Sequence, residues 1–493
     1  MREQGNPRRP RARRSLTART AAVTAASQVV ARVSTLVFTV AATAIIARTI
    51  GKDGFADWGT VLMLTAMVAF LLDPGLAPVV VRRLAQGESE APSPESLLGV
   101  RLMLSAAAFV AVVALGLALR GSGVVVLAIV LAAQLFPRAV VLNAGTWMQA
   151  EHRLHVQTGL EAITIAGGLA LLVPVAALGA PPAVLAGVGV LLPSAVLATL
   201  MWRELETVPR ASSRGRLADR ALVRAVLREA APLAGAVLLV SLYTRIGVVF
   251  VNEAKNGAEV ADFTFAFLFI EQAIVVAVIL AATLLPMLVE RGVGESGARP
   301  ALVGDMLSLV TFIGTLGALA LIALARPLVL LIGGDGLEGA VQPLTLLAPA
   351  CAALFANCYM GYAHVAARRA GRYLAFNLVG LAISVVLGFA LTLEQGADGA
   401  ARVTWITETV VVLLAAGSFL WGSAHGRSAL VHLVVVLGVV TVCAELTSAG
   451  TLAPAVAGVA GTALTLLVSV PRARGWLGYA RTLLSREAVA PPV

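Results

Sequence analysis

Long apolar segments alternate with short polar connections along nearly the whole chain, and most are long enough to cross a bilayer. The strict alternation of apolar and polar residues that marks the strands of a membrane barrel does not occur in them. The pattern therefore predicts an all-α integral membrane protein with about fourteen transmembrane helices. The predicted spans are 21–49, 59–80, 98–119, 123–149, 158–179, 183–202, 230–251, 263–288, 302–324, 341–366, 373–393, 401–421, 429–447 and 452–470.

Composition supports a membrane location. Hydrophobic residues make up 59% of the 493 residues and charged residues 13%, whereas soluble domains carry about 25% charged residues. The three cysteines lie within predicted spans, so no disulfide framework is expected. Residues 1–20 are rich in arginine and precede an apolar run too long for a signal peptide, which predicts a disordered basic tail before the first helix.

The basic residues are concentrated in connections predicted to lie on one side of the membrane. Of 37 Lys and Arg residues, 28 fall in the two termini and in every second connection, and five fall in the alternate connections. Basic loops stay in the cytoplasm, so both termini are predicted to be cytoplasmic, in a bacterial plasma membrane. The formal net charge of +10 then reflects loops that face an anionic leaflet, not nucleic-acid binding. The few charges in the alternate connections, such as Lys52, Asp57 and Glu259, are interpreted as solvated loops.

A long Arg-rich connection divides the chain into two halves of six predicted helices. The predicted organisation is a cytoplasmic tail over 1–20, an N-terminal lobe over 21–202, a cytoplasmic linker over 203–229, a C-terminal lobe over 230–421, two extra helices over 429–470 and a tail over 471–493. The sequence Phe55–Trp58 is echoed by Val260–Phe263 at an offset of 205 residues, as parallel repeats would produce.

Four arginines within or at the ends of apolar segments give the main indication of function. They are Arg32, Arg138, Arg245 and Arg48. A charge inside a membrane is costly and must face other helices or water, and polar residues three or four positions away extend each charged face, as Ser241 does for Arg245. Guanidinium groups bind phosphate bidentately and stay charged in a dry site. A cationic cavity is therefore predicted, with an anionic substrate such as a diphosphate.

Acidic residues in the same spans are predicted to be counter-ions or coupling groups. These are Glu271, Glu408 and Glu161. Other interpretations stay open: Arg48 fits a side chain that extends to the interface, and Arg138 fits a structural pair with Glu151 or Glu161. The sequence has no P-loop, zinc-spaced His/Cys cluster or convincing nucleophile elbow, so no catalytic residue, metal site or cofactor is predicted. We interpret the chain as a transporter that is neither an enzyme nor an ATPase.

The order and spacing of several short motifs resemble the polysaccharide-export (O-antigen-type) flippases of the multidrug/oligosaccharidyl-lipid/polysaccharide exporter superfamily. The motifs are Ala47-Arg48 with Gly51, Trp58-Gly59, Asp73-Pro74-Gly75-Leu76, Leu242–Ile246, Val260–Phe263 with Pro286, Ile332-Gly333-Gly334, Gly371-Arg372 with Asn377, and Gly396–Ala401 followed by Thr404 and Glu408. The resemblance covers about residues 20–425. Many members have Asp where this chain has Gly247, so Arg245 is either freer to meet phosphate or pairs with Glu271 instead.

The resemblance implies two six-helix lobes around a central cavity and a substrate of polyprenyl-diphosphate-linked oligosaccharide, moved from the cytoplasmic to the outer leaflet. Glycan polymerases or glycosyltransferases would be its partners. A flippase for the peptidoglycan precursor lipid II, from the same superfamily, is one alternative. A membrane glycan polymerase or ligase is an alternative of another class, although the short external connections leave no room for a catalytic domain.

Overall fold

Nearly every described residue is helical. The computed structural model describes residues 18–73, 76–77, 79–81, 92–150, 153–206, 216–254, 257–290 and 300–486. The predicted tail over 1–20 therefore lies largely outside the described residues, as do the middle of the linker and residues 487–493. Within a bilayer only a helix or a closed barrel satisfies every backbone N–H and C=O, which is why long Ala-, Leu- and Val-rich runs form helices.

Among the described residues, seven helices with defined bounds lie in the first half of the chain, and nine lie in the second half besides a single helical turn at Leu393–Gln395. In the first half they are α1 (Ala18–Ala69), α2 (Pro94–Arg120), α3 (Val125–Ala133), α4 (Leu135–Ala150), α5 (Leu154–Ala177), α6 (Pro182–Ala186) and α7 (Leu192–Glu206). In the second half they are α8 (Arg216–Arg245), α9 (Gly247–Ala254), α10 (Gly257–Glu290), α11 (Pro300–Gly333), α12 (Val341–Ala366), α13 (Ala370–Leu387), α14 (Ala397–Leu420), α15 (Ala424–Ser448) and α16 (Pro454–Arg486). Short 3₁₀ or π segments extend several of them.

The predicted spans correspond to these helices. Twelve helices among the described residues are long and apolar enough to cross a membrane. The first, Val37–Leu72, includes a break at Gly51 (φ 68°) and covers the first two predicted spans. The seventh predicted span is divided between α8 and α9 at Ile246 and is not among the twelve. The all-α architecture of a multi-span membrane protein is therefore confirmed, with twelve candidate spans among the described residues where about fourteen were predicted.

Tight glycine turns mark one end of the helix bundle. Gly51 separates the two arms of α1 and Gly121 (φ 74°) ends α2, and both have a positive φ that side chains with a Cβ rarely adopt. The other described glycines with positive φ are Gly179, Gly334, Gly396 and Gly450. All six lie in the connections for which an external position is predicted. We call this end of the molecule the tight-turn end, and the opposite end, where α7 ends and α8 begins, the linker end.

Helix α12 forms the centre of the C-terminal half and packs against α10, α11, α14 and α15. The two extra helices α15 and α16 are attached through α11. In the N-terminal half α1 packs against α2 and α5, and it also contacts α10 of the other half. Large apolar side chains on the outer faces, such as Met103 at 75% and Ile163 at 67% exposure, form the surface that meets lipid.

One buried arginine joins three parts of the N-terminal half. Arg101 on α2 is fully buried, and its guanidinium donates to Asp73, Asn143 and Thr146, each at 3.1 Å. Asp73 also accepts from the backbone N–H of Ala77 at 3.0 Å. Because a buried charge is stable only when it is paired and hydrogen-bonded, this cluster fixes the positions of α2, α4 and the end of the second arm of α1.

Replacement of Arg101 by Met would leave Asp73 without its cation and would empty three hydrogen bonds. We expect a loss of roughly 3 kcal/mol in stability, measured as a lower midpoint of thermal unfolding for the purified protein in detergent. Arg326→Met is the matched control, because its ion pair with Glu338 is 67% and 51% exposed and such pairs contribute under about 1 kcal/mol. Equal midpoints for the two variants would contradict the structural role of Arg101.

Candidate functional site

Arg245 and Glu271 form an ion pair within the C-terminal half. Arg245 ends α8, and its Nε and Nη2 each lie 3.0 Å from Oε1 of Glu271 on α10. Ser241, one helical turn earlier, and Thr244 accept from Nη1 at 3.3 Å. The two charged side chains keep 17% and 21% of their surface exposed, so the pair lines a space that a solute can reach. Of the two roles that the sequence left open for Arg245, the structure shows the pairing with Glu271.

Arg138 faces the same region from the N-terminal half. A break at Gln134 separates α3 from α4, and Pro137 in the first turn of α4 suits the start of a helix. Arg138 is exposed although it lies in the middle of an apolar span. Glu161, Glu271 and Arg245 lie close enough for their charges to act on its guanidinium. A charged side chain at this depth requires polar neighbours, since lipid would not accommodate it.

The cavity thus combines two cations and two anions from both halves of the molecule. Arg138 and Glu161 come from α4 and α5, and Arg245 and Glu271 come from α8 and α10. The four charges sum to zero among the described side chains. Of the residues predicted from the sequence, these four lie near one another, whereas Arg48 and Glu408 lie elsewhere.

The two arginines of α1 do not share one position. Sixteen residues separate Arg32 from Arg48, which is about 24 Å along a straight helix. Arg48 is exposed near the tight-turn end, where its guanidinium donates to the carbonyls of Leu330 and Leu331 in the last turn of α11. The carbonyl of Leu330 also accepts from the backbone N–H of Gly334, and a cation beside the C-terminal carbonyls of a helix is favourable. The side chain of Arg32 lies outside the part of the chain whose side chains are described.

Glu408 is placed differently from the other predicted acids. It is fully buried on α14, and one carboxylate oxygen accepts from the side-chain amide of Asn357 on α12. The other oxygen, Oε1, has no hydrogen-bond partner among the described residues, and the nearby titratable groups are Tyr243, Tyr373 and Cys358. An ionised carboxylate is costly to bury without a cation, which distinguishes the environment of Glu408 from that of Glu271, whose partner is Arg245.

Charged and polar side chains join the two halves at the tight-turn end. Lys52 on α1 lies 2.7 Å from Asp262 on α10, and Arg120 lies 2.7 Å from Asp57. Arg120 also donates to Asn252 at 3.4 Å. We call these five residues the polar latch. Asn252 also donates to the backbone carbonyl of the residue before Arg120 at 2.8 Å, which adds a second hydrogen bond between the two halves.

Lys52 and Asp57 were interpreted from the sequence as parts of solvated loops, whereas the structure pairs them with Asp262 and Arg120. The partners are 210 residues apart for Lys52 and Asp262 and 132 apart for Arg120 and Asn252, so no local pattern reveals them. The available signal was the echo of Phe55–Trp58 in Val260–Phe263, because its two aspartates, Asp57 and Asp262, are the anions of the latch.

At the linker end the halves meet through an apolar cluster. Leu76, Val80 and Leu97 from the N-terminal half pack against Val226 and Ala230 of α8. Polar contacts close one end of the molecule and apolar contacts join the other. The two interfaces therefore respond differently to water, since polar groups can exchange a partner for water whereas apolar surface cannot.

The Arg245–Glu271 pair can be tested by a double-mutant cycle on thermal stability. Arg245→Met and Glu271→Met should each destabilise the protein, because each leaves the opposite charge in the cavity without its partner. The double variant should recover part of the loss, with a coupling energy of roughly 1 to 2 kcal/mol. The same cycle on Arg402 and Glu445, which are 26% and 38% exposed, should give less than about 1 kcal/mol. Strict additivity at 245 and 271 would rule out the pair.

The fold is similar to that of two solved transporters. A structure described as the lipid II flippase MurJ in an inward closed conformation matches with a TM-score of 0.64 and 12% identity, over 92% of this chain and 100% of that one. An inward-facing multidrug resistance MATE family transporter of the MOP superfamily matches with a TM-score of 0.58 and 17% identity, over 82% and 98%. No protein-family model and no curated protein matches the chain. At these identities the likeness is one of fold, and the chain has the all-helical membrane fold that these two transporters share.

Proposed function

We propose that this protein is a flippase that moves a polyprenyl-diphosphate-linked oligosaccharide from the cytoplasmic to the outer leaflet of a bacterial plasma membrane, for surface or exopolysaccharide synthesis. The observation that carries the proposal is the pair of arginines, Arg138 and Arg245, that face one cavity from opposite halves of the molecule. The fold shared with two transporters agrees with it. Both termini would be cytoplasmic, which puts the linker end in the cytoplasm.

The charge balance of the cavity suits an exchange of anions. Glu271 holds Arg245 while the cavity is empty, and a diphosphate would take its place on the guanidinium. Phosphate oxygens bind a guanidinium bidentately, as a carboxylate does, so the exchange costs little in geometry. In this proposal Arg32, Arg138 and Arg245 bind the headgroup, and Glu161 and Glu271 are counter-ions. Arg48, which caps α11 in this state, would bind substrate only after the tight-turn end opens.

The lipid tail would follow a different path from the headgroup. A small opening between α1 and α10 is lined by Thr39, Val40, Thr43, Phe265, Leu268, Phe269, Gln272 and Ile332. Its apolar rings and a few polar groups lie on the side where the two halves meet. A polyprenyl chain would remain in lipid and slide past this gap while the sugars cross about 30 Å of hydrocarbon inside the cavity.

Transport would proceed by alternating access, as the two halves rock about the site. The polar latch closes the outer side in this state, and release of its contacts to water would open it. Glu408 is the proposed coupling group: the gain or loss of a proton or cation at its buried carboxyl would change the packing of α14 against α12. No nucleotide-hydrolysing step is part of the proposal, and glycan polymerases or glycosyltransferases would act before or after it.

A flippase for the peptidoglycan precursor lipid II is the second candidate. It is favoured by the match to the whole of the MurJ chain. The two candidates share the diphosphate and the polyprenyl tail, so the described cavity suits either one. They differ in the sugar, for which the described residues provide no discriminating contact.

The leaflet position of lipid-linked glycans in cells with and without the protein tests the function. Loss of the protein should hold surface-polysaccharide glycan lipid in the cytoplasmic leaflet, and Arg138→Gln with Arg245→Gln should fail to release it, with each substitution lowering transport by about tenfold. Glu408→Gln should fold normally and abolish the dependence of transport on an ion gradient. Arg326→Gln, on an exposed ion pair, is the control for expression.

Three other outcomes would change the assignment. Accumulation of peptidoglycan precursor in place of surface-polysaccharide lipid would transfer the function to the second candidate. Normal arrival of glycan lipid in the outer leaflet without polymer would sink the flippase proposal and favour a polymerase or ligase. Full transport by the double arginine variant would remove those residues from the substrate site.

The latch can be tested by distance measurement between spin labels on opposite halves at the tight-turn end. Asp53 and Gly336 are exposed there and accept nitroxide-labelled cysteines after the three native cysteines are replaced. Lys52→Met should add a longer distance to the distribution, with about a fivefold larger open population, because one partly buried ion pair holds that end closed. A distribution identical to that of the Arg326→Met control would show that the latch does not hold the halves together.

A further inference from the structure

A cavity of about 340 Å³ lies away from the central site, among α11, α15 and α16 at the linker end. It is lined by Asp305, His425, Ser428, Val431, His432, Val435, Val468, Pro471 and Arg472. Its polar residues stand at the start of α11 and α15 and at the end of the apolar part of α16, where the spans reach the membrane surface. None of its residues belongs to the proposed transport path.

The polar part of the cavity shares one carboxylate between two basic groups. His425 Nε2 lies 2.8 Å from Oδ1 of Asp305, and Arg472 donates to the same oxygen at 3.4 Å. Arg472 also donates to Ser428 at 2.9 Å, and its side chain is 9% exposed. Asp305 therefore divides its hydrogen-bonding capacity between His425 and Arg472, and its contact with Arg472 is the longer of the two. An arginine buried to this degree with one long ionic contact has capacity for a further anion.

His432 supplies a second, independent sign of a ligand. The residue is 4% exposed and lines the cavity, and its Nε2 lies 3.0 Å from the hydroxyl of Ser469. Its Nδ1 has no partner among the described residues. If the Ser469 hydroxyl donates to Nε2, the proton of the neutral ring sits on Nδ1, which is then a donor without an acceptor. A buried donor of this kind is costly to leave unpaired, and phosphate oxygen is an acceptor that would satisfy it.

The rest of the lining is apolar and faces outward. Val431 is 62% exposed and Val435 is 39% exposed on α15, and Val468 and Pro471 of α16 complete this side. A groove with basic and hydroxyl groups at the membrane surface and valines toward the hydrocarbon has the polarity of a phospholipid. A metal ion is not indicated, because no group of three or more His, Cys, Asp or Glu among the described residues could hold one.

We propose that this cavity binds an anionic glycerophospholipid of the leaflet at the linker end. Its phosphodiester accepts from Arg472 and His432, and an acyl chain lies along Val431, Val435 and Val468. The negative charge of the phosphodiester lies beside the guanidinium of Arg472, whose contact with Asp305 is long. A bound lipid joins α11 to α15 and α16 and so secures the two extra helices. The inference does not depend on the identity of the transported substrate.

The test is native mass spectrometry of the delipidated full-length protein with added phosphatidylglycerol. We expect one lipid bound with high occupancy, and about tenfold weaker binding by Arg472→Gln. Arg427→Gln is the matched control, because Arg427 is exposed at the same end, donates to the carbonyl of Trp421 at 3.3 Å and does not line the cavity. Its affinity should stay within about twofold of the wild type.

A second variant keeps the test decisive if Arg472→Gln does not fold. Val435→Trp fills the apolar part of the groove and leaves every charge in place, so it should also abolish the bound lipid. Phosphatidylcholine, which has no net charge, should bind more weakly, and inorganic phosphate should not compete at millimolar concentration. Equal losses in Arg472→Gln and Arg427→Gln, undiminished binding by Val435→Trp, or equal competition by inorganic phosphate would each overturn the proposal.

Discussion

Charge in an apolar interior is the constraint on which this structure depends. Each cation placed among the helices requires an anion or a set of acceptors within hydrogen-bonding distance, because lipid supplies neither. Arg101 meets the requirement with Asp73 and two neutral acceptors and is wholly structural. Arg245 meets it with Glu271 in a space that a solute can reach. The same physical demand thus produces a buried ion pair at Arg101 and a partly exposed ion pair at Arg245.

The two halves meet through interfaces of opposite character. The polar latch places ion pairs and amide contacts at the tight-turn end, whereas Leu76, Val80, Leu97, Val226 and Ala230 pack at the linker end. Partly exposed ion pairs contribute little net stability because water competes for both partners. Apolar contacts lose their favourable free energy when they separate and gain nothing in exchange. A protein whose halves rock would therefore separate more easily at the polar end.

The sequence predicts the fold because its dominant signal, long apolar runs between polar connections, is local. All fourteen predicted spans correspond to helical segments, and the Gly51 break explains why two of them form one long helix. The candidate site could be predicted only in part from the sequence. Arg138 and Arg245 stand out as charges in apolar runs, and the Arg245–Glu271 pair was one of two alternatives. Arg101 was missed because it was grouped with the basic residues of the cytoplasmic connections, although it is buried inside α2.

The helices that flank the connection between the two halves, α7 and α8, reach the linker end at Glu206 and Arg216. If the halves rock about this end as a pivot, the glycine turns are the tips that move. With a lever arm of about 30 Å, a rotation of about 10° would separate the tips by about 5 Å and leave the pivot nearly still. The displacement of the two halves, and their resistance to it, would therefore differ between the two ends of the molecule. The tips would then move most and resist least, and the surface at the linker end would keep its shape.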